Sequence, residues 1–599
     1  MQYASRIKVL IINNVKGLQM NRIILLKFSL LYLIFLISSA NTQTVSTSSE
    51  LINKCEDLIS KKMKSDNIIG VSAAIIVDDS IIWEKGFGYA DKDNKVPMTI
   101  NTAVNIASIT KTFTALAIMQ LQEKGLIDIN QPLKKYLPRF NPKCTEAYLE
   151  RLTIRSVITH SSGIQTDILK NTDVGSGKYT DVLGFINDTY LLYPPGMVES
   201  YSNSGYNILG HLIKEVSGQD YTEYIHENIF TPLGMSHSGF LNDSLINRTR
   251  IYSGGESIRE YGFSDIASGG IYTDISDFTK YARGLMDAYN GMNSPLIQTP
   301  FIHEMFTLQR DQVLIESNKK GLGWFMFRND SAFALTHTGD AAWGHAEICL
   351  VPERRAAVLI LINSAEGESL RRDISSRFIK DFGLSIPDII PPRVIKNVQK
   401  EIQPVNLTED ILKAHAGDYS PGFSILTISV EDDNLVMDRD NKHFLLKALS
   451  KNEFVPFEKI GQDSLVEKND ERYCFIDSDN FHMLFHETGS NETRLGYKLN
   501  KFNSASLNKK LGRYEHFGYQ LLVGDTKFKG AELSLAEDRV LVLKLIAYDG
   551  AYTFPLNVIS DEYAVTSGLG TGFAYTVKFM ENKKHFIIDF GGITFRKNK

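Results

Sequence analysis

The sequence predicts two architectures in one chain: an α/β domain of the α+β kind, with a sheet flanked by helices, and then antiparallel, barrel-like β structure to the end. Three observations predict it. From Leu51 to about Phe382, short apolar strands alternate with helical patterns. Beyond residue 410, short segments of alternating hydrophobicity are separated by Asp, Asn and Gly turns, the signature of antiparallel pairing. Between them, "IPDIIPPRVIKNVQKEIQPVN" carries Pro387, Pro391, Pro392 and Pro404, a density that reads as a linker.

At 599 residues the chain exceeds a single hydrophobic core, so several domains are expected. The patterns divide it into 1–40, an upstream extension and signal peptide; 41–384, the mixed domain; 385–410, the linker; and β domains at 411–502 and 508–599. In 1–40, basic Arg22 and Lys27 precede an apolar run from Phe28 to Ile37 and small residues Ser38, Ser39 and Ala40. That order reads as an export signal cut after Ala40, with Met20 where such a peptide begins. An uncleaved anchor is the alternative, although the run is short of the roughly 20 residues of a membrane span.

In the mixed domain "VSAAIIVDD" and "IIWEKGFGYA" read as a hairpin, and "ITKTFTALAIMQLQEKG" as a helix ended by Gly125. "AVLILIN" reads as a buried strand from Ala357 to Asn363, and "SLRRDISSRFIKDF" as the last helix. Strands at both ends of the domain predict that its first and last elements are neighbours in one sheet. Further on, "AGDY" at 416–419 and "LGRY" at 511–514 match loosely, hinting at two similar β units.

Composition excludes some functions. A net charge of -5 with no long Lys/Arg run gives no reason to invoke nucleic acid. Cys55, Cys144, Cys349 and Cys474 are far apart with no C-x-x-C, so neither a zinc site nor a disulfide scaffold is supported, and buried free thiols are the favoured reading. Asn187, Asn242, Asn247, Asn329, Asn406 and Asn491 begin sequons that matter only in a cell that glycosylates exported proteins.

Three features carry chemistry. Ser108-x-x-Lys111 opens the predicted helix, but Ser5/Lys8, Ser317/Lys320 and Ser506/Lys509 satisfy the same pattern, so spacing alone says little. Its context says more. A serine at a helix start meets outward N–H groups that favour oxyanion charge, and a lysine three residues on shares its face. Ile109, Phe113, Leu116 and "ALAIM" make that face apolar, so Lys111 is expected to be buried, which disfavours its ammonium form. The second feature is Tyr201-x-Asn203, the only Tyr-x-Asn in the chain. Lys111 is expected to lower the phenol's pKa, and Asn203 to bond both Lys111 and a substrate carbonyl. The third is His337-Thr338-Gly339 at the end of an apolar strand, where glycine lets substrate backbone approach and the next N–H serves as an oxyanion donor. His237-Ser238-Gly239 has the same form but follows a turn. Each feature has an ordinary structural explanation by itself; together they supply nucleophile, base and anchor, and oxyanion edge.

The order S-x-x-K, Y-x-N, H-T-G resembles the serine β-lactamase and penicillin-binding protein superfamily, in particular its class C β-lactamase-like branch of esterases, D-amino-acid peptidases and related serine hydrolases. "GFGYADKDNKVPMTINTAVNIASITKTFTA", "LTIRSVITHSSGI", "YPPGMVESYSNSGYNILG", "TPLGMSHSGF", "SDIASGGIYTDISDFTKYARGLM" and "GLGWFM" look like segments of that family in its order, over about residues 60–380. The resemblance implies a β-lactamase-like antiparallel sheet with a helical subdomain and the site between them. It implies Ser108 as nucleophile, Lys111 and Tyr201 as its activators, Asn203 as substrate anchor, and His337, Thr338 and Gly339 on the edge strand. The N–H groups of Ser108 and Asp340 would form the oxyanion hole. The segments after residue 410 resemble lipocalin-like carboxyl-terminal domains of some relatives.

The sequence departs from the β-lactamases proper, which carry Lys where His337 stands. A mostly neutral histidine binds an antibiotic carboxylate less well, which favours an ester, amide or peptide substrate. The expectation is therefore an exported serine hydrolase acting on a small molecule or peptide, with no metal or organic cofactor called for. A β-lactam-hydrolysing or penicillin-binding enzyme, and a catalytically idle binding or sensor protein on the same fold, are the alternatives.

Overall fold

The computed structural model describes residues 49–381 and 405–599 apart from short stretches, the longest being 170–180, 259–265, 310–319, 518–527 and 567–573. The export signal, residues 385–404 of the linker, and the sequons at Asn242 and Asn329 lie outside the described residues. Two compact units divide at Lys62/Met63. In the first, residues 49–62 are helical; all that follows concerns the second.

Its mixed domain is built on a seven-stranded antiparallel sheet in the order Val96–Pro97, Ser80–Asp91, Gly70–Val77, Ala356–Ile362, Gly344–Val351, Phe333–Ala341, Phe325–Arg328. The hairpin forms as expected, and the first strand pairs with the last, Ala73 opposite Ile360 and Ile75 opposite Val358. Ala356–Ile362 is buried at every position, which is why it reads as a continuous apolar run rather than an alternation.

The central helix, Thr110–Glu123, is buried from Thr110 to Leu121. A helix apolar all round has no solvent face to offer, so neighbours cover every side. Phe113 stacks on Tyr281 with ring centroids 3.8 Å apart, and the Tyr281 hydroxyl donates to Thr112 Oγ1 at 3.0 Å. Gly125, at φ +70°, follows the last turn as expected.

The carboxyl-terminal strands form two units. Gly417–Tyr497 makes a nine-stranded sheet whose ends approach at a Tyr419–Lys498 bridge, and Gly512–Asn598 closes into an eight-stranded barrel. The loose "GDY"/"GRY" match has a structural counterpart. Gly417 (φ +152°) and Gly512 (φ +127°) each open a first strand. Two residues on, the hydroxyls of Tyr419 and Tyr514 donate back to the carbonyls of His415 and Lys510. Lys498 and Lys597, at the far end of each unit, donate to the carbonyls of Ala414 and Leu511. Among the described residues no helix is long and apolar enough to cross a membrane.

Both units pack on the mixed domain. Leu192, Tyr193, Met197 and Val198 bury against Met483, Phe485 and Tyr497 of the sheet and Val565 and Ala574 of the barrel. That apolar cluster lies just ahead of Tyr201.

Candidate active site

Ser108 sits one step before the central helix, on a 3-10 turn at Ala107–Ile109, rather than within the helix itself. Ala107 is at φ +42°, a left-handed conformation that costs a non-glycine residue about 1–3 kcal/mol and persists only where its surroundings over-determine it. Asn105 supplies that constraint. Its Oδ1 accepts from Ala107 N at 3.1 Å, and its Nδ2 donates to the carbonyls of Gly269 and Ile271 at 3.1 and 3.2 Å. Ser108 is left half-exposed at the head of the buried helix.

One turn along, Lys111 is fully buried, as the apolar face predicts. Its Nζ donates to Ser108 Oγ at 3.1 Å and to the Ser268 carbonyl at 2.7 Å. Those two contacts point the amine at the serine and hold it there.

Ser202 caps the helix Asn203–Ser217, accepting from Gly205 N at 2.9 Å, and so places Tyr201 and Asn203 on either side of the helix entry. Tyr201 hydrogen-bonds with Ser108, but its phenol is shifted opposite to expectation: burial pushes its pKa above the ordinary value, and the Ser108 bond recovers only part. The nearby Asp167 and Asp340 carboxylates add to the rise. Lys111 Nζ lies over the face of the Tyr201 ring, 4.8 Å from its centroid. Asn203 Nδ2 donates to Asp167 Oδ1 at 2.7 Å, a partner that spacing does not reveal.

Phe333–Ala341 pairs on its outer side with Phe325–Arg328 only as far as Thr336, opposite Phe325. His337 onward is therefore unpaired on that side among the described residues, although the side chain of His337 is buried and, of His337, Thr338 and Gly339, only Thr338 is partly exposed. Gly339 is required for a reason beyond substrate access. A Cβ there would stand 2.1 Å from the Ile106 carbonyl oxygen, so glycine lets this strand close on the turn that carries Ser108. Asp340 follows, with its carboxylate held by His345 Nδ1 at 2.7 Å and Arg371 at 3.3 Å. Burial alone would raise its pKa; these partners outweigh it.

His337 Nδ1 donates to the Thr338 carbonyl at 2.8 Å, leaving Nε2 as the acceptor. Burial foremost, then Lys111, lowers its pKa to about 3, with Lys320 adding to the shift and the Thr338 bond opposing it. His337 is thus neutral, as anticipated. Between pH 5 and 8, Ser108 acylation should show no ionisation belonging to His337, and wild type and His337→Gln should give profiles of the same shape. A step near pH 6.5 that vanishes in His337→Gln would contradict this.

Several neighbours escape sequence reasoning. His160 packs against Tyr201 with the rings tilted, centroids 4.3 Å apart, and accepts from Ser202 N at 3.1 Å through Nδ1. Burial, then Lys320 and Lys111, hold its pKa well below the usual histidine value. Lys320, part of a decoy Ser-x-x-Lys, forms a buried ion pair with Glu199 beside the site. Asn105, three residues before Ser108, completes the list with Asp167 and the Ser268 carbonyl, which reach the site from distant parts of the chain and so have no spacing signature. The decoy His237 instead bonds Asp274 at 2.8 Å, with Asp277 taken by Lys280 and the His237 and Ser238 donors, a closed structural cluster.

The assembled groups are a hydroxyl in contact with a buried amine and a phenol, at the foot of an open strand edge. The Beta-lactamase family profile matches residues 55–379 of this chain. Protein flp of Staphylococcus aureus (strain N315) is 28% identical over 333 residues, covering 54% of this chain and 64% of that protein. Beta-lactamase-like protein 2 of Dictyostelium discoideum is 29% identical over 256 residues, 40% of this chain and 46% of that one. The chain thus spans less than two thirds of the length of the curated relatives it matches. Among solved structures, that of SurE with D-Leu aligns over 75% of this chain and 99% of its own at 19% identity and a TM-score of 0.53, a likeness of fold. With more than half its length matched in order around this fold, the chain belongs to the Beta-lactamase family.

Proposed function

We propose that the protein is an exported serine hydrolase that forms an acyl-enzyme at Ser108 on an ester, amide or peptide substrate. The observation that carries the reading is the buried Lys111 amine 3.1 Å from Ser108 Oγ, within proton-transfer reach. In this reading Lys111, as the free amine, accepts the Ser108 proton while Oγ bonds to the substrate carbonyl carbon. The Ser108 and Asp340 N–H groups stabilise the resulting oxyanion. The neutral Tyr201 phenol, bonded to Ser108, gives its proton to the departing group and takes one back from the Lys111 ammonium. Water then attacks the acyl-enzyme by the reverse proton path, releasing the acid and restoring Ser108.

A neutral His337 supports a substrate without a carboxylate at the strand edge, and so favours esters, amides and peptides over β-lactams. A screen of chromogenic esters, D-amino acid amides and a cephalosporin tests this. Turnover of the cephalosporin alone would move the reading to β-lactam hydrolysis. Acylation by no probe, fluorophosphonate or labelled penicillin, would favour the idle binding protein. Export rests on the order of basic, apolar and small residues in 20–40, and amino-terminal sequencing of the mature protein checks it. A start well before Asn41 would overturn cleavage after Ala40.

A further inference from the structure

The closed barrel reaches the site through a ladder of contacts. Ala574–Thr576 lies along Gln165–Asp167: Thr166 N donates to the Ala574 carbonyl at 3.1 Å, Thr576 N to Gln165 Oε1 at 3.3 Å, and the Tyr575 hydroxyl to Asp167 Oδ2 at 3.3 Å. On their other side the same three residues hold the Tyr-x-Asn motif. Ser202 Oγ donates to the Gln165 carbonyl at 2.7 Å, Ser204 N to the Thr166 carbonyl at 3.1 Å, and Asn203 Nδ2 to Asp167 Oδ1 at 2.7 Å. One carboxyl group therefore stands between Asn203 and the barrel. A carboxylate only accepts, so it forces the NH2 side of the Asn203 amide toward itself and turns the amide oxygen the opposite way.

We propose that Tyr575, supplied by the carboxyl-terminal barrel, is a positioning residue of the hydrolase site: through Asp167 it fixes the orientation of Asn203. The barrel is on this account a working part of the active site as well as a packing partner. Burial raises the Asp167 carboxyl above its ordinary range, and the Asn203 bond, the neighbouring Lys111 whenever it is protonated, and the Tyr575 hydroxyl oppose that. Among the described residues Asp167 has no ion pair, so these groups, together with the neighbouring Tyr201, are the ones that face it. Removing the Tyr575 donor should let Asp167 protonate at higher pH, and a protonated carboxyl competes less well for the Asn203 N–H.

The inference rests on the hydrolase reading, and its test separates the two. Tyr575→Phe keeps the ring packed on Phe590, 4.8 Å between centroids, and deletes only the hydroxyl. For an ester or amide that the wild type turns over, kcat/KM should fall about tenfold, the size of one lost bond to a charged group, and its acid limb should move to higher pH. In an Asp167→Asn background the further cost of Tyr575→Phe should vanish. Tyr563→Phe is the docking control. It loses bonds to Lys143 (2.6 Å) and Asp188 (3.1 Å) at the same interface without touching Asp167, and should stay within about twofold of wild type. Multiplying losses in the double variant, an unmoved acid limb, or an equal loss in Tyr563→Phe would overturn the proposal while leaving a labelled Ser108 and the hydrolase reading intact. Absence of wild-type labelling by both a fluorophosphonate and a labelled penicillin would overturn both.

Discussion

Ser108→Ala is expected to abolish covalent labelling by a fluorophosphonate or a labelled penicillin and to lower turnover by roughly 10³- to 10⁶-fold, with the fold unchanged. The breadth reflects how these groups act as a unit: once the nucleophile is gone, Lys111 and Tyr201 have nothing to activate, and only substrate binding and the oxyanion donors remain. Stability should hardly move, because Ser108 is half-exposed and Ala107 and Asn105, not the Ser108 side chain, set the turn. If anything Lys111 loses an acceptor but keeps the Ser268 carbonyl at 2.7 Å. Labelling of Ser108→Ala equal to wild type would remove Ser108 from the chemistry, whatever the family to which the chain belongs.

Why Ser108 could be singled out, when three other Ser-x-x-Lys pairs exist in the chain, lies in what periodicity reports. A helix that is apolar on every face must be buried, and a lysine inside it must be buried with it; that inference is local and holds here to full burial. The same logic places the strand Ala356–Ile362 and its pairing with the first strand. What periodicity does not report is direction at the level of single atoms. The expectation for Tyr201 correctly placed a cation close by but had no means to weigh it against the phenol's own burial, which sets the sign of the pKa shift. For Asn203 the spacing suggests Lys111 and substrate as partners but does not reveal Asp167, 36 residues earlier in the chain, which holds its amide nitrogen. Gly339 was readable as a close approach, but the approaching atom is the chain's own Ile106 carbonyl. Tyr575 was beyond reach, since alternating β segments reveal a barrel but not which residue meets the neighbouring domain.

Lys111→Met follows from the correction to Tyr201. A phenol whose pKa is raised stays protonated throughout the neutral range, so Tyr201 holds no phenolate to take the Ser108 proton. Any alkaline limb it contributed would lie above the ordinary tyrosine value, not below it. On the proposed mechanism, Lys111 is then the base among the described groups that touch Ser108, and Tyr201 relays a proton. Lys111→Met should therefore slow acylation by roughly 10³- to 10⁴-fold, at the upper end of general-base effects, and by more than Tyr201→Phe, which deletes a relay. Methionine nearly matches the lysine stem in length and fills the same apolar sleeve. It leaves the Ser268 carbonyl short of a donor but removes a buried amine, so the melting temperature should hold or rise. Rate and stability thus move independently, which excludes misfolding as the cause of the slow rate. Acylation of Lys111→Met within tenfold of wild type, or a larger loss in Tyr201→Phe, would reverse the assignment of the two roles.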